Sequence, residues 1–383
     1  MANSPRLTYI TTAAFPAPKA SSVQVMQMCA AFAEVGALVK LVARQAATQI
    51  NADVFAHYGL PPIFSFETRP LPRWPRPTDL LQAQAVFAEQ GSDWICYSRI
   101  RDLTAPVLAL ARGAKAAVEV HGRPATLRER VMLKWIGRHP RGRLFTISEP
   151  LQDIYRRDYG LVTHVAPDAV DMSRFNPSLT TAQAREQLGL ESGLWVVYVG
   201  GLYEGRGLES LFTAVSGLPV NLLIAGGRSP EEVAVWRERA ESLGATRIRF
   251  EGYQPPARVP LYLFAADVLA MPYGKRVMTP SGEDIAEWIS PMKLFEYLAA
   301  RRPIVSSDLP VLRTVLAHEK NALLVGADDA VGLRAAIERV LRDPALANRL
   351  AAEAQQTARR YTWAERAKRI LEMIGRDDTN RSS

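Results

Sequence analysis

Twice along this chain, short apolar runs alternate with amphipathic stretches of helical length. That alternation commits the polypeptide to parallel sheets covered by helices on both faces, an α/β fold. A parallel strand is buried on both sides, so it reads as a nearly continuous apolar run. In the first series we expect strands at Leu7 to Thr11, Leu38 to Ala43, Trp94 to Tyr97, Ala117 to Val120, Leu144 to Thr146 and Thr163 to Val165. Helices at Ser22 to Val35, Thr78 to Gln90, Ala105 to Arg112 and Glu149 to Tyr159 separate most of them. The segment PDAVDMSRFNP, Pro167 to Pro177, loses periodicity between prolines and reads as a linker. The second series has strands at Trp195 to Val199, Asn221 to Ala225, Ile248 to Glu251, Val268 to Met271, Ile304 to Ser306 and Ala322 to Val325. Its helices are at Leu208 to Val215, Glu231 to Leu243, Val259 to Ala265 and Met292 to Arg301, and Val331 to Gly375 is almost wholly helical.

With 383 residues the chain is too long for one ordinary core and suits two domains. We expect domains at 1–170 and 171–360, with residues 361–383 a helix returning toward the first domain. Two domains imply a cleft, and open parallel sheets bind ligands beyond the carboxyl ends of their strands, so the loops after strands carry the functional weight. No run of about 20 apolar residues is present to span a bilayer. LTYIT after Arg6 is too short for a signal peptide, so a cytoplasmic protein is expected. Only Cys29 and Cys96 occur, which rules out a disulfide framework and a cysteine zinc site. The net charge of +8 favours acidic partners. Nucleotide sugars and anionic lipids fit; nucleic acid does not, for lack of a finger, an RNP-like aromatic pattern or a basic dimerising helix.

The stretch ISPMKLFEYLAARRPIVSSD, Ile289 to Asp308, carries the sharpest signal. Ser290 and Pro291 read as cap and first-turn residues of a helix starting at Met292, followed by a short buried strand. Open N–H groups and the positive dipole end at Met292 and Lys293 suit an anion, and Lys293 adds a full charge. Glu296, one turn on, is placed to reach a ribose whose phosphates rest on the helix end. A nucleotide diphosphate fits this arrangement.

Other candidates lie after strands. GGLYEGRGLESLF follows WVVYV: Gly200 and Gly201 permit close backbone approach, and Arg206 offers a planar fork for phosphate oxygens. Gly252-Tyr253-Gln254 is a loop suited to a nucleobase through backbone groups and stacking on Tyr253. The long insertion PYGKRVMTPSGEDIAEWIS holds Glu283, Asp284 and Glu287 as candidates for sugar hydroxyls. In the first half, FPAPKASS places Lys19, Ala20 and Ser21 in a ligand loop, and VEVHG puts His121 at a strand end. Arg128, Arg130, Lys134, Arg138, Arg141 and Arg143 surround Val131, Met132, Leu133, Trp135 and Ile136, the pattern of an interfacial amphipathic helix with peripheral membrane contact through residues 128–143. RPLPRWPRP mixes arginines with Trp74.

In order, FPAPKASSVQVMQMCAAFAEVG, VEVHG, YVGGLYEGRGLESLF, SPMKLFEYLAARRPIVSSD with NALLV, and YTWAERAKRILEMI resemble the retaining glycosyltransferases of family 4, glycosyl transferases group 1. The resemblance implies the GT-B architecture, two Rossmann-like domains whose parallel sheets face a central cleft, with a C-terminal helix crossing back. It implies transfer of a sugar from a nucleotide diphosphate sugar to a hydroxyl acceptor, retaining and metal-independent. No cofactor is implied beyond that nucleotide-sugar co-substrate, and the acceptor is a glycan, a lipid-linked sugar or a small molecule. In family terms Arg206 and Lys293 neutralise the diphosphate leaving group, Glu296 holds the ribose, and His121 sits beside the donor sugar. The chain departs from the family in three places. The first of the family's two spaced glutamates falls on Trp288, with Glu287 the adjacent candidate. The usual Gly-Arg is Gly200-Gly201, so that Arg206 stands where the family often has lysine. The amino-terminal glycine pair is Ala20-Ser21. Two other readings share this architecture: a nucleotide-sugar 2-epimerase and a non-catalytic nucleotide-sugar-binding protein.

Overall fold

A computed structural model describes residues 4–46, 53–73, 76–176, 179–279 and 282–376. Trp74 of the arginine and proline cluster, Pro177 at the linker's end, and Pro280 and Ser281 in the long insertion lie outside the described residues. The chain divides into two compact units, one of residues up to Asp168 together with those from Trp363, the other Ala169–Thr362.

In the first unit, seven strands run β1 Arg6–Ala14, β2 Leu38–Arg44, β3 Ser65–Arg69, β4 Ile95–Arg99, β5 Lys115–Val120, β6 Gly142–Thr146 and β7 His164–Val165. They pair in parallel in the order β3-β2-β1-β4-β5-β6-β7. The second unit repeats the plan with six: β8 Leu194–Val199, β9 Val220–Ala225, β10 Ile248–Gly252, β11 Val268–Met271, β12 Ile304–Ser307 and β13 Leu323–Val325. Their order is β10-β9-β8-β11-β12-β13, also parallel. Both are doubly wound orders, which reverse direction between the first and fourth strands and so open a crevice at those carboxyl ends.

Burial explains the strand pattern. In β8, Val197 and Val199 enter one hydrophobic cluster while Val196 and Tyr198 enter the cluster on the other face. Alternate residues of β9, β11 and β12 divide the same way, so neither face of the sheet meets water. The segment Trp363–Gly375 is one helix, and it buries Trp363, Arg366, Ala367, Ile370 and Ile374 as a single stripe within the first unit.

Candidate active site

The helix Met292–Ala299 buries Leu294, Phe295, Tyr297, Leu298 and Ala299, which leaves Lys293 and Glu296, three residues apart, on its other, partly exposed face. Tyr297 fastens this helix to the end of β8: its hydroxyl accepts from the Val199 N–H at 2.8 Å and lies 3.3 Å from the Val199 carbonyl. One expectation is corrected here. Pro291 itself, not Ser290, occupies the cap position, and its side chain makes no capping bond. Proline's ring fixes an extended entry to the helix, which places Ser290 one position ahead of the cap. The helix end therefore keeps its anion-binding character without competition from its own cap.

Lys293 lies over two aromatic faces, its Nζ 4.0 Å from the Tyr198 ring centre and 4.8 Å from that of Tyr273. The Arg206 guanidinium stands over the same Tyr273 ring at 5.2 Å and over Tyr203 at 5.8 Å. Neither cation forms an ion pair with a carboxylate among the described residues. Burial, and then the positive charge of Arg206, hold the Lys293 amine well below its ordinary range. Two cations gathered without a counter-ion form a site that a dianion would complete. Gly200 makes the approach possible: a Cβ there would stand 3.2 Å from Nζ of Lys293, at a φ of 149°. Arg206 is fixed by its neighbours Gly205 and Gly207, both at positive φ and pressed against the backbone of Arg276 and Pro272. Gly201, by contrast, is confined only by the Tyr203 ring, which fills the space of a side chain there.

Glu296 points its carboxylate at Arg174, with Oε1 3.7 Å from the guanidinium. Burial raises its carboxyl above the ordinary value, against the pull of Arg174. Arg174 lies in the linker, where the loss of periodicity hid it. Tyr198 and Tyr273 were missed as well, because a tyrosine at a strand end reads as core.

The long insertion is organised rather than loose. Asp284 accepts from the N–H groups of Val277 at 2.9 Å and Ala286 at 3.1 Å and pairs with Arg276 at 3.3 Å, and the Val277 bond leads in lowering its carboxyl below the ordinary value. Its oxygens are thus committed to the loop, which corrects its candidacy for sugar hydroxyls. At the family's first glutamate position Trp288 is buried, while the adjacent Glu287 is exposed. Tyr253, after β10, leaves 38% of its surface accessible, as a stacking platform needs.

In the first unit Lys19 is the cap of the helix Ala20–Glu34, so Ala20 and Ser21 begin that helix instead of lying in a loop. Small residues without a proline let the helix start two positions earlier than expected. A chain of bonds then runs inward. Arg99 donates to the Ser21 carbonyl at 3.2 Å and lies 3.4 Å from Oε1 of Gln24. Gln24 donates to Glu119 at 2.5 Å, and Glu119 meets Nε2 of His121 at 2.7 Å. Burial, and next the charge of Arg99, push the His121 imidazole down to about 4, so the ring is neutral at physiological pH.

The helix Leu127–Arg138 turns Leu133 and Ile136 inward and exposes Leu127, Val131 and Trp135, one above the other at four-residue spacing. Arg143, counted with the basic face from sequence, is instead buried and donates to the carbonyls of Met373 at 3.1 Å and Arg376 at 2.5 Å. Its placement inside β6 overrides the helical pattern around it. Among the described residues no helix is long and apolar enough to cross a membrane.

Residues 193–343 match the family model of glycosyl transferases group 1. A D-inositol 3-phosphate glycosyltransferase of Corynebacterium urealyticum is 30% identical over 223 residues, 55% of this chain and 50% of the relative. A phosphatidyl-myo-inositol mannosyltransferase of Mycolicibacterium smegmatis is 31% identical over 212 residues, 54% and 50% of the two chains. The chain thus spans about half the length of the curated relatives it matches. Among solved structures, a sucrose-phosphate synthase from Thermosynechococcus elongatus superposes with a TM-score of 0.73 at 20% identity, covering 96% of this chain and 98% of the other. The Anabaena HepE protein, solved with UDP and glucose, gives 0.73 at 18% identity, again over 96% and 98%. At these identities the likeness speaks for the fold, which is that of the GT-B glycosyltransferases.

Proposed function

We propose that this protein transfers a sugar from a nucleotide diphosphate sugar to a hydroxyl acceptor, with retention at the anomeric carbon and without a metal. The observation that carries the reading is the pair Lys293 and Arg206, assembled over Tyr198 and Tyr273 without a carboxylate partner at the open end of the helix Met292–Ala299. Departure of a nucleoside diphosphate develops negative charge, and preorganised cations stabilise that charge most in the transition state. Here they supply what a divalent ion would otherwise supply. Glu296 takes the ribose hydroxyls, Tyr253 the base, and His121 a hydroxyl of the substrate. Sugar transfer is named for the sequence relatives, which supports it over isomerisation of the donor.

The test is a donor panel of UDP-, GDP- and ADP-sugars assayed in excess chelator. Product with a retained anomer is expected; isomerised donor without acceptor, or a strict metal requirement, would overturn the reading. In a parallel thermal-shift series one nucleoside diphosphate should raise the melting temperature clearly above the others. Glu296→Ala should weaken that nucleotide's binding by about tenfold, the worth of a charge-assisted bond, with a smaller effect on turnover. Unchanged affinity would remove Glu296 from the ribose.

The acceptor side of the reading is a membrane-associated substrate, a lipid-linked or glycolipid acceptor reached by a cytoplasmic enzyme lying on the bilayer surface. Leu127, Val131 and Trp135 form the exposed ridge, and Arg130, Lys134 and Arg138 flank it. Cosedimentation with anionic vesicles should decline with added salt and disappear in the double variant Val131→Glu, Trp135→Glu. Equal sedimentation of that variant and wild type would dismiss the membrane contact.

A further inference from the structure

Glu119 is the most heavily engaged side chain of the first unit. It is fully buried and receives four side-chain donors: Gln24 at 2.5 Å, the Tyr97 hydroxyl at 2.7 Å, Nε2 of His121 at 2.7 Å, and Arg366 at 2.8 Å and 3.1 Å. Arg366 comes from the helix Trp363–Gly375, more than 240 residues further along, and is itself only 4% exposed. Its remaining donors reach the Pro167 carbonyl at 2.8 Å and the Ala166 carbonyl at 3.0 Å, which fixes the plane of the guanidinium. A buried arginine clamped on two carbonyls and a carboxylate is a costly arrangement that core packing alone does not require.

We propose that Arg366 is a positioning residue. It keeps Glu119 ionised and aimed so that His121 is held as the Nε2–H tautomer, its Nδ1 left to accept a hydrogen bond from a substrate hydroxyl.

The chemistry of the partners dictates this assignment. A carboxylate facing an arginine fork, a glutamine amide and a tyrosine hydroxyl can only accept, so the His121 nitrogen against it must carry the proton. Burial opposes the charge on Glu119, yet the Arg366 guanidinium, next in size, and the donors around it hold its carboxyl well below the usual carboxylate range. A neutral imidazole has one proton, and with Nε2 claiming it, Nδ1 is a lone-pair acceptor. The ring keeps 18% of its side-chain surface exposed, so a substrate has access to it. The charged groups facing this pair are Arg99, Arg366 and Asp168, whose carboxyl is lifted by burial to about 7. The role given to the hydroxyl rests on the transferase reading; the tautomer does not.

The experiment is long-range proton–nitrogen NMR of the unliganded full chain with labelled histidine, the His121 signals assigned by comparison with His121→Gln. The wild type should show the Nε2–H form with no titration above pH 5. In Glu119→Leu no acceptor faces Nε2, so the Nε2–H form should lose its preference and the Nδ1–H form should appear, whereas in Glu119→Gln the carbonyl belongs where Gln24, His121 and Arg366 converge and the Nε2–H form should persist. In Arg366→Met the loss of one cation should raise the His121 midpoint by about one unit or more, whereas Arg366→Lys should keep it low. With the preferred donor, Glu119→Leu should lower kcat by about 10²-fold while the donor KM stays within about twofold. An Nδ1–H tautomer in the wild type would overturn the proposal whatever the variants do. So would an unmoved tautomer in folded Glu119→Leu together with an unmoved midpoint in folded Arg366→Met. Absence of transfer with every donor would count against the transferase reading alone, since the spectra decide the positioning role without activity.

Discussion

Lys293→Ala is expected to lower turnover by about 10² to 10³-fold, the loss seen when one preorganised donor is removed from a developing anion. The donor KM should change far less, because Arg206 and the helix end still hold the ground-state diphosphate. The reason lies in how the amine is kept. It stands over Tyr198 and Tyr273 with Arg206 beside it, and burial together with that neighbouring charge disfavours its protonated form. A bound diphosphate reverses the balance and draws the proton back. Binding is therefore linked to proton uptake: the Lys293 value is depressed in the free protein and raised in the complex. Nucleotide affinity should fall as pH rises through the depressed value, and this dependence should vanish in Lys293→Met. Calorimetry in buffers of different ionisation enthalpy reads the uptake directly, and a complex formed without it would contradict the assignment. Wild-type turnover in Lys293→Ala would do so more simply.

Gly207→Ala is expected to destabilise the second unit by about 3 kcal/mol or more, among the largest effects a single added methyl group can have. A Cβ at this position would stand 1.2 Å from the carbonyl oxygen of Pro272, at a φ of 71°, so backbone must move on one side or the other. Gly205 is nearly as confined, 2.0 Å from the Arg276 carbonyl oxygen, and its own carbonyl accepts from the Gly274 N–H at 2.9 Å. The loops after β8 and β11 are thus locked together around Arg206. Denaturant unfolding should show the lost stability, and whatever protein remains folded should lose the nucleotide-induced rise in melting temperature, because Arg206 has been displaced. A variant with an unchanged midpoint would show that the two loops separate readily.

Much of this is legible in the residues alone. The segment from Met292 announces itself because helical periodicity, an open helix start, a lysine and a glutamate all fall within a few residues. Local signals of that kind survive folding. What was hidden depends on partners distant in sequence. Arg174 meets Glu296 only after the chain has passed through most of the second sheet, and no spacing rule links a linker arginine to a helix. Tyr198 and Tyr273 sit at strand ends where an aromatic residue is ordinary core material. Strand β3, Ser65–Arg69, escaped notice because it lies at the sheet edge, half-exposed, without an apolar run. The helix Thr181–Leu188 had a readable start, since Thr180 and Gln183 form a capping box, but its short length concealed it between the linker and the first strand of the second series.

The first unit is discontinuous in sequence, and this has a consequence for how the molecule is made. A ribosome releases residues 1–168 long before it reaches Arg366, so the nascent unit must carry Glu119 without its cation. That half should stay loose, and prone to capture by chaperones, until residues 363–376 have been made. Fragments ending ahead of Trp363 should be poor material for studying it, whereas a graft of residues 363–376 onto 1–168 should restore order.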